Sequence, residues 1–135
     1  MKRAVLYADG ACRGNPGPAG SGAALLDGEG HVVAEAMRFL GHGTNNVAEY
    51  NALIIGLEEA RRHDVEDLEV CMDSKLVVEQ MNGKWRVRDP KLIPLAIRAR
   101  ELFAQFPKKR IRHIPREENA IADLLANRAI DEAAA

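Results

Sequence analysis

The strongest constraint on how this chain can fold is a change of step in its apolar residues at Asn46. Before that point, residues 3–9, 20–27 and 31–40 are runs rich in Val, Ala and Leu that read as three strands, with Asp27-Gly28 and Gly30 marking a tight connection between the second and third. After it, Val47, Tyr50, Ile54 and Leu57 recur at steps of three and four, which predicts a helix with one apolar stripe ending near His63. Leu68–Met72 then predicts a short strand, and Ser74–Met81 a brief helix stopped by Asn82-Gly83. A basic loop follows. Asp89-Pro90 predicts an N-cap and first helical position for a helix whose buried face is Leu95, Ala99, Leu102 and Phe106, halted by Pro107. Lys109–Ile114 alternates basic and apolar side chains as a half-exposed strand does, and a last helix is expected from about Glu118 to Ala129. The order β-β-β-α-β-α-α-β-α predicts an α/β fold, with a mixed sheet whose later strands run parallel to the first and carry helices packed on them.

With 135 residues, 47% of them apolar, a single domain over residues 1–135 is expected. No run approaches the ~20 apolar residues of a membrane span, and the opening MKRAVLYADG turns polar too early for a signal peptide, so a cytoplasmic protein with no membrane partner is the expectation, and a monomer. Cys12 and Cys71 show no metal-ligand spacing and are read as free, non-catalytic thiols. The net charge of −1 conceals an uneven distribution. Residues 1–83 carry 7 Lys/Arg against 13 Asp/Glu, residues 84–112 carry 10 against 2, and residues 113–135 carry 2 against 5. A basic lobe beside acidic flanks suits a protein that grips a phosphate backbone in one place and holds cations in another, although an ordinary solvated face also accounts for it.

Four carboxylates stand where chemistry is plausible. Asp9 ends the first predicted strand and Asp73 follows the fourth, so parallel neighbours would project both from one carboxyl edge, where α/β active sites sit. Glu49 falls in the first turn of the helix beginning near Asn46, and Asp123 early in the last helix. Each also has a purely structural reading. Asp9 with Gly10 could shape a turn, Glu49 could close a capping box with Asn46, Asp73 could N-cap the next helix, and Asp123 could be a solvated acid opposite an Ile121, Leu124 and Leu125 stripe. Together they point elsewhere, because clustered carboxylates repel unless cations or protons neutralise them. An oxygen-only ligand set selects hard cations such as Mg²⁺ or Mn²⁺, and a pair of them can drive in-line phosphoryl displacement.

At these residues the sequence resembles the type 1 ribonuclease H family. The stretches that carry the resemblance are YADGACRGNPGPAGSGA, GTNNVAEYNALIIGLEEA, VCMDSKLVVEQMNGKW and HIPREENAIADLLANRA, in that order over nearly the whole chain. The resemblance implies the mixed five-stranded ribonuclease H fold, three antiparallel strands then parallel ones with helices on both faces. It also implies Asp9, Glu49, Asp73 and Asp123 as ligands of two Mg²⁺ or Mn²⁺ ions. Asn15, Asn45 and Asn46 match positions that contact the minor groove of an RNA/DNA hybrid, where amides can read the ribose 2′-hydroxyl. Thr44 matches a phosphate-gripping position, at a helix N-terminus suited to an anion.

The sequence departs from the family pattern in three places. Lys75 stands where many relatives have glutamine, which would turn a groove contact into a phosphate contact. The long basic insertion of some relatives is missing; its work would fall to Lys84, Trp85, Arg86 and Arg88, unless the lone tryptophan packs on the core. His113 lies ten residues before Asp123, as a histidine does in many relatives, but the HIPRE context is similar to a subgroup in which the arginine, here Arg116, is the better candidate for the mobile group near the scissile phosphate. The function implied is hydrolysis of the RNA strand of RNA/DNA hybrids, leaving 5′-phosphate and 3′-hydroxyl ends. The alternatives are a nuclease of the same fold acting on duplex RNA or DNA, and a non-catalytic hybrid-binding module.

Overall fold

The computed structural model describes residues 1–135. Five strands form one sheet in the order β3-β2-β1-β4-β5: β1 is Arg3–Cys12, β2 Gly17–Asp27, β3 Val32–Gly43, β4 Asp67–Met72 and β5 Lys108–His113. The first three pair antiparallel, and β4 and β5 continue parallel to β1. The helices are α1 (Asn45–Arg62), α2 (Lys75–Met81), α3 (Ile93–Phe103) and α4 (Ala120–Ala134), with a 3₁₀ turn over Arg116–Glu118. The mixed α/β architecture is the one the apolar pattern predicts. No helix is long and apolar enough to cross a membrane.

The core lies between the sheet and α1 with α3. Leu6 and Ala8 of β1, Leu25 of β2, and Leu68, Val70 and Met72 of β4 meet Tyr50, Leu53 and Leu57 of α1, all essentially inaccessible. Burying each of the leucines and valines fully stabilises the fold by about 1.5–3 kcal/mol. Helix α4 covers the opposite face of β2 and β1.

Three expectations about element boundaries are corrected. β1 and β2 extend to Cys12 and back to Gly17, into the glycine-rich run that reads as a loop. Those glycines serve close packing: a Cβ on Gly10 would lie 2.4 Å from the α1 backbone at Ala48 and Glu49, and one on Gly22 or Gly20 would lie 2.4 or 2.5 Å from the α4 backbone at Ala126. Asp89 does not cap α3. Its carboxylate accepts from Lys91 N–H at 2.9 Å in a preceding turn, and α3 starts at Ile93 and ends at Phe103, leaving buried Phe106 beyond it. In α4 the buried face is Ala122, Leu125, Ala126, Ala129 and Ile130, while Leu124 is 66% exposed, so the stripe assigned to Ile121, Leu124 and Leu125 is rotated from its true position.

Candidate active site

The site occupies a notch in the sheet. β1 pairs with β4 only as far as Tyr7 opposite Cys71, and β4 stops at Met72 while β1 continues to Cys12 alongside β2. Carried two residues further, the parallel register sets Asp9 beside Asp73. Asp9 therefore lies within β1 and not in a turn with Gly10. Glu49 enters from α1, whose backbone rests against Gly10; Gly10 N–H donates to Glu49 Oε1 at 2.9 Å. The N-cap of α1 is Thr44, accepting from Val47 N–H at 3.3 Å, so no capping box with Asn46 occupies Glu49. Ser74 caps α2 by accepting from Val77 N–H, which leaves the Asp73 carboxylate free of that duty.

Asp9, Glu49 and Asp73 present oxygens that all lie within 4.8 Å of one another, with Asp9 4% and Glu49 9% exposed. Asp123 faces the same pocket of about 380 Å³ from α4, together with Asn45, Cys12, Arg116 and Asn127. Burial, reinforced by the neighbouring Glu49, Asp73 and Asp123 charges, pushes the Asp9 carboxyl far above the usual carboxylate range. Burial also raises Glu49, against the opposing effect of hydrogen bonds from Asp9 and Gly10 N–H. In the metal-free cluster both carboxyls are thus harder to ionise than free ones. Glu49 Oε2 is buried with no hydrogen-bond partner, and the donor set is oxygen alone. An orphaned buried carboxylate oxygen among like charges is what a hard divalent cation would satisfy, so the residues fit such an ion.

Sequence reasoning missed two amides. Asn119 is fully buried; its Nδ2 donates to Asp73 Oδ1 at 2.8 Å and to Ala8 O at 2.9 Å. Ala8 lies one residue past the last β1–β4 pair, and a side-chain amide bonds its carbonyl there and holds the third acid at the same time. Asn127 Nδ2 donates to the Asp123 carbonyl at 3.0 Å and to its Oδ1 at 3.3 Å. Asn119, Asp123 and Asn127 fall at steps of four along α4, a polar stripe visible in the sequence.

The remaining candidates fall into two groups. Asn15, Thr44, Asn45 and Asn46 gather at the N-terminus of α1, where Asn15 Oδ1 accepts from Asn45 N–H at 3.2 Å. Lys84, Trp85 and Arg86 line a second pocket of about 600 Å³ with Val87, Ile93, Ile97 and Arg100, while Arg88 is exposed on the same loop and Lys75 at the start of α2. Trp85 is 43% exposed and so is not a core residue. Not all of the basic segment is available for a polyanion: Arg110 and Arg112 are tied to Glu69 at 2.7 and 3.3 Å, and Arg98 lies 3.7 Å from Glu58. His113 is exposed and its Nε2 lies 3.3 Å from the Asp73 carbonyl, whereas Arg116 lines the acidic pocket.

With that geometry in place, the likenesses to known proteins are informative. The chain matches the protein-family model described as "Reverse transcriptase-like" over residues 7–129. It is 48% identical to RNase H1 from the halophilic archaeon Halobacterium salinarum, whose crystal structure superposes with a TM-score of 0.92 over 96% of this chain and 98% of that one. LC11-RNase H1, isolated from compost and solved in complex with an RNA/DNA hybrid, is 40% identical with a TM-score of 0.91 over 98% of this chain and 99% of that one. The "Bifunctional protein Rv2228c" of Mycobacterium tuberculosis is 47% identical over 98% of this chain, which spans only 36% of that relative's length.

Proposed function

This chain belongs to the type 1 ribonuclease H family, and we propose that it hydrolyses the RNA strand of RNA/DNA hybrids, giving 5′-phosphate and 3′-hydroxyl ends. The observation that carries this reading is the convergence of three carboxylates from β1, α1 and the end of β4, with a fourth facing them from α4. Asp9, Glu49, Asp73 and Asp123 would hold two divalent cations, Mg²⁺ or Mn²⁺. When bound, such ions supply a water activated for attack and charge neutralisation on the leaving oxygen.

The chain's own residues orient the substrate around that centre. Thr44 Oγ1 already accepts from Val47 N–H, so its hydroxyl proton is free to donate to a phosphate at the helix terminus. Asn15 spends its Oδ1 on Asn45 N–H, which leaves its amide NH₂ to donate outward, and the Asn45 and Asn46 amides can both donate to and accept from a ribose 2′-hydroxyl. Lys84, Arg86 and Arg88 carry no carboxylate partner and would grip the DNA strand, with the Trp85 ring lying along it and Lys75 adding a phosphate contact. Arg116, on the acidic pocket, would steady the charge of the scissile phosphate or product; a guanidinium cannot exchange a proton near neutrality. His113 would brace Asp73 through its carbonyl, its other ring nitrogen left for solvent.

The test is a substrate panel. Labelled RNA/DNA hybrid, duplex RNA and duplex DNA of one sequence are incubated with Mg²⁺ and with Mn²⁺; cleavage confined to the RNA of the hybrid is expected. Equal cleavage of duplex DNA would mean the asparagines read nothing, and binding of hybrid without turnover would make the chain a binding module.

A second expectation follows from the raised carboxyls. In the unfolded chain these groups titrate at ordinary values near 3.8 and 4.5, and in the metal-free fold well above them. The site's contribution to stability is therefore greatest below those ordinary values and is lost as pH climbs toward the raised ones. Divalent ions compete with protons for these carboxyls, so millimolar Mg²⁺ should raise Tm more at pH 8 than at pH 5, read by thermal melts against EDTA controls. An increment that is absent, or larger at pH 5, contradicts metal binding by this cluster.

A further inference from the structure

A buried polar strut connects the helix that carries Glu49 to the basic loop. Tyr50, the next residue of α1, is fully buried and its hydroxyl donates to Gln80 Oε1 at 2.6 Å. Gln80, itself 4% exposed, passes the connection on through its amide, which donates to the Arg86 carbonyl at 3.4 Å. Its backbone carbonyl accepts from Gly83 N–H at 3.1 Å and from Arg100 Nη2 at 3.1 Å. The preceding carbonyl, of Glu79, accepts from both Lys84 and Trp85 N–H at 2.9 and 3.2 Å. Gly83 adopts φ 76°, a left-handed conformation that folds the loop back over the end of α2 and that favours glycine. A loop without regular structure is thus anchored at four consecutive residues, and its one side-chain anchor leads to the residue beside a metal-site acid.

Burying a phenol and a primary amide in an apolar core is costly unless each is satisfied, and two apolar residues of similar size would fill the space as well. The polar pair is therefore explained better by what it holds than by the stability it confers. We propose that Tyr50 and Gln80 are positioning residues that fix the basic loop, and with it Lys84, Trp85 and Arg86, relative to the acidic cluster, so that a hybrid gripped at the loop presents its scissile phosphate to the acids. The proposal rests on the reading of that loop as a substrate contact. It is a role in binding rather than in the chemical step, because neither residue lines the acidic pocket.

The chain's single tryptophan sits in the loop, which gives a readout independent of turnover. The variants are Tyr50→Phe, Gln80→Met, the double Tyr50→Phe/Gln80→Met, and Lys84→Ala/Arg86→Ala as a control for the loop itself. Each is assayed for KM and kcat on the hybrid, for Tm, and for the Trp85 emission change on adding hybrid in EDTA. Tyr50→Phe is expected to raise KM about fivefold, the effect of one net hydrogen bond, with kcat within twofold and an altered emission spectrum. The double variant, with both polar partners removed, should recover parental Tm but keep the raised KM. A double variant that recovers KM along with Tm shows the pair to be structural packing and overturns the proposal. An unmoved KM in Lys84→Ala/Arg86→Ala overturns both the loop contact and the strut, whereas a raised KM there with unchanged single variants overturns the strut alone.

Discussion

Asp9→Asn is expected to lower kcat on the hybrid by on the order of 10³-fold while leaving a protein that, without divalent ions, melts at a higher temperature than its parent. The two effects share one cause. Asp9 is the most buried of the four acids and faces the other three, so in the metal-free fold its carboxyl is harder to ionise than in the unfolded chain. An asparagine carries no such cost, and relief of even about 1 kcal/mol raises Tm by about 3–4 °C in a domain of this size. The amide cannot supply the negative charge a hard cation requires, so the Mg²⁺-dependent rise in Tm should shrink in the same variant. Rate assays and melts with and without Mg²⁺ check the trade. Unchanged turnover would remove Asp9 from the active site, and an unchanged or lower metal-free Tm would show that the acids do not strain the fold.

Asn119→Ala should cost about 1–3 kcal/mol of stability and shift the Mg²⁺ concentration needed for half-maximal activity upward by about 10–100-fold. Asn119 does not itself line the pocket, yet its two donated hydrogen bonds satisfy the Ala8 carbonyl and orient the carboxylate of Asp73, which does. Loss of the amide leaves both acceptors unpaired and frees Asp73 to rotate. Saturating Mg²⁺ should recover much of the rate if the role is orientation. The measurement is kcat against Mg²⁺ concentration, with Tm followed in parallel; a variant that loses stability but keeps the parental Mg²⁺ dependence would make Asn119 a packing residue only.

How far the fold could be read from the chain depended on which residues had a periodic signal. The step of three and four after Asn46, and the unbroken apolar run of β4, carry their own geometry, and the structure follows both. The glycine-rich run misleads, because glycine marks a turn and a close helix–sheet approach alike, and only the position of α1 and α4 over Gly10, Gly20 and Gly22 separates the two. Asp89 and Leu124 show the same limit: a plausible cap and a plausible apolar stripe are displaced by where the neighbouring chain leaves room.

At the site, residue type and order nominated the four acids, but no local rule could separate a capping carboxylate from a functional one. For Glu49 and Asp73 the structure removes the capping reading, because Thr44 and Ser74 take the caps. The amides Asn119 and Asn127 are legible as an i, i+4 stripe with Asp123, but an asparagine in a helical stretch carries no local sign of which carboxylate or carbonyl it bonds. The strut of Tyr50 and Gln80 leaves no mark in the sequence, since a tyrosine in an apolar stripe looks like any core residue.

The bare backbone of Gly20 and Gly22 gives the molecule a vulnerability remote from its carboxylates. Helix α4 lies so near β2 that two missing methyl groups set the height at which Asp123 hangs over its partners. Any side chain at either position acts as a shim under the helix, so the fourth acid can be withdrawn by a change in a strand that carries none of the four.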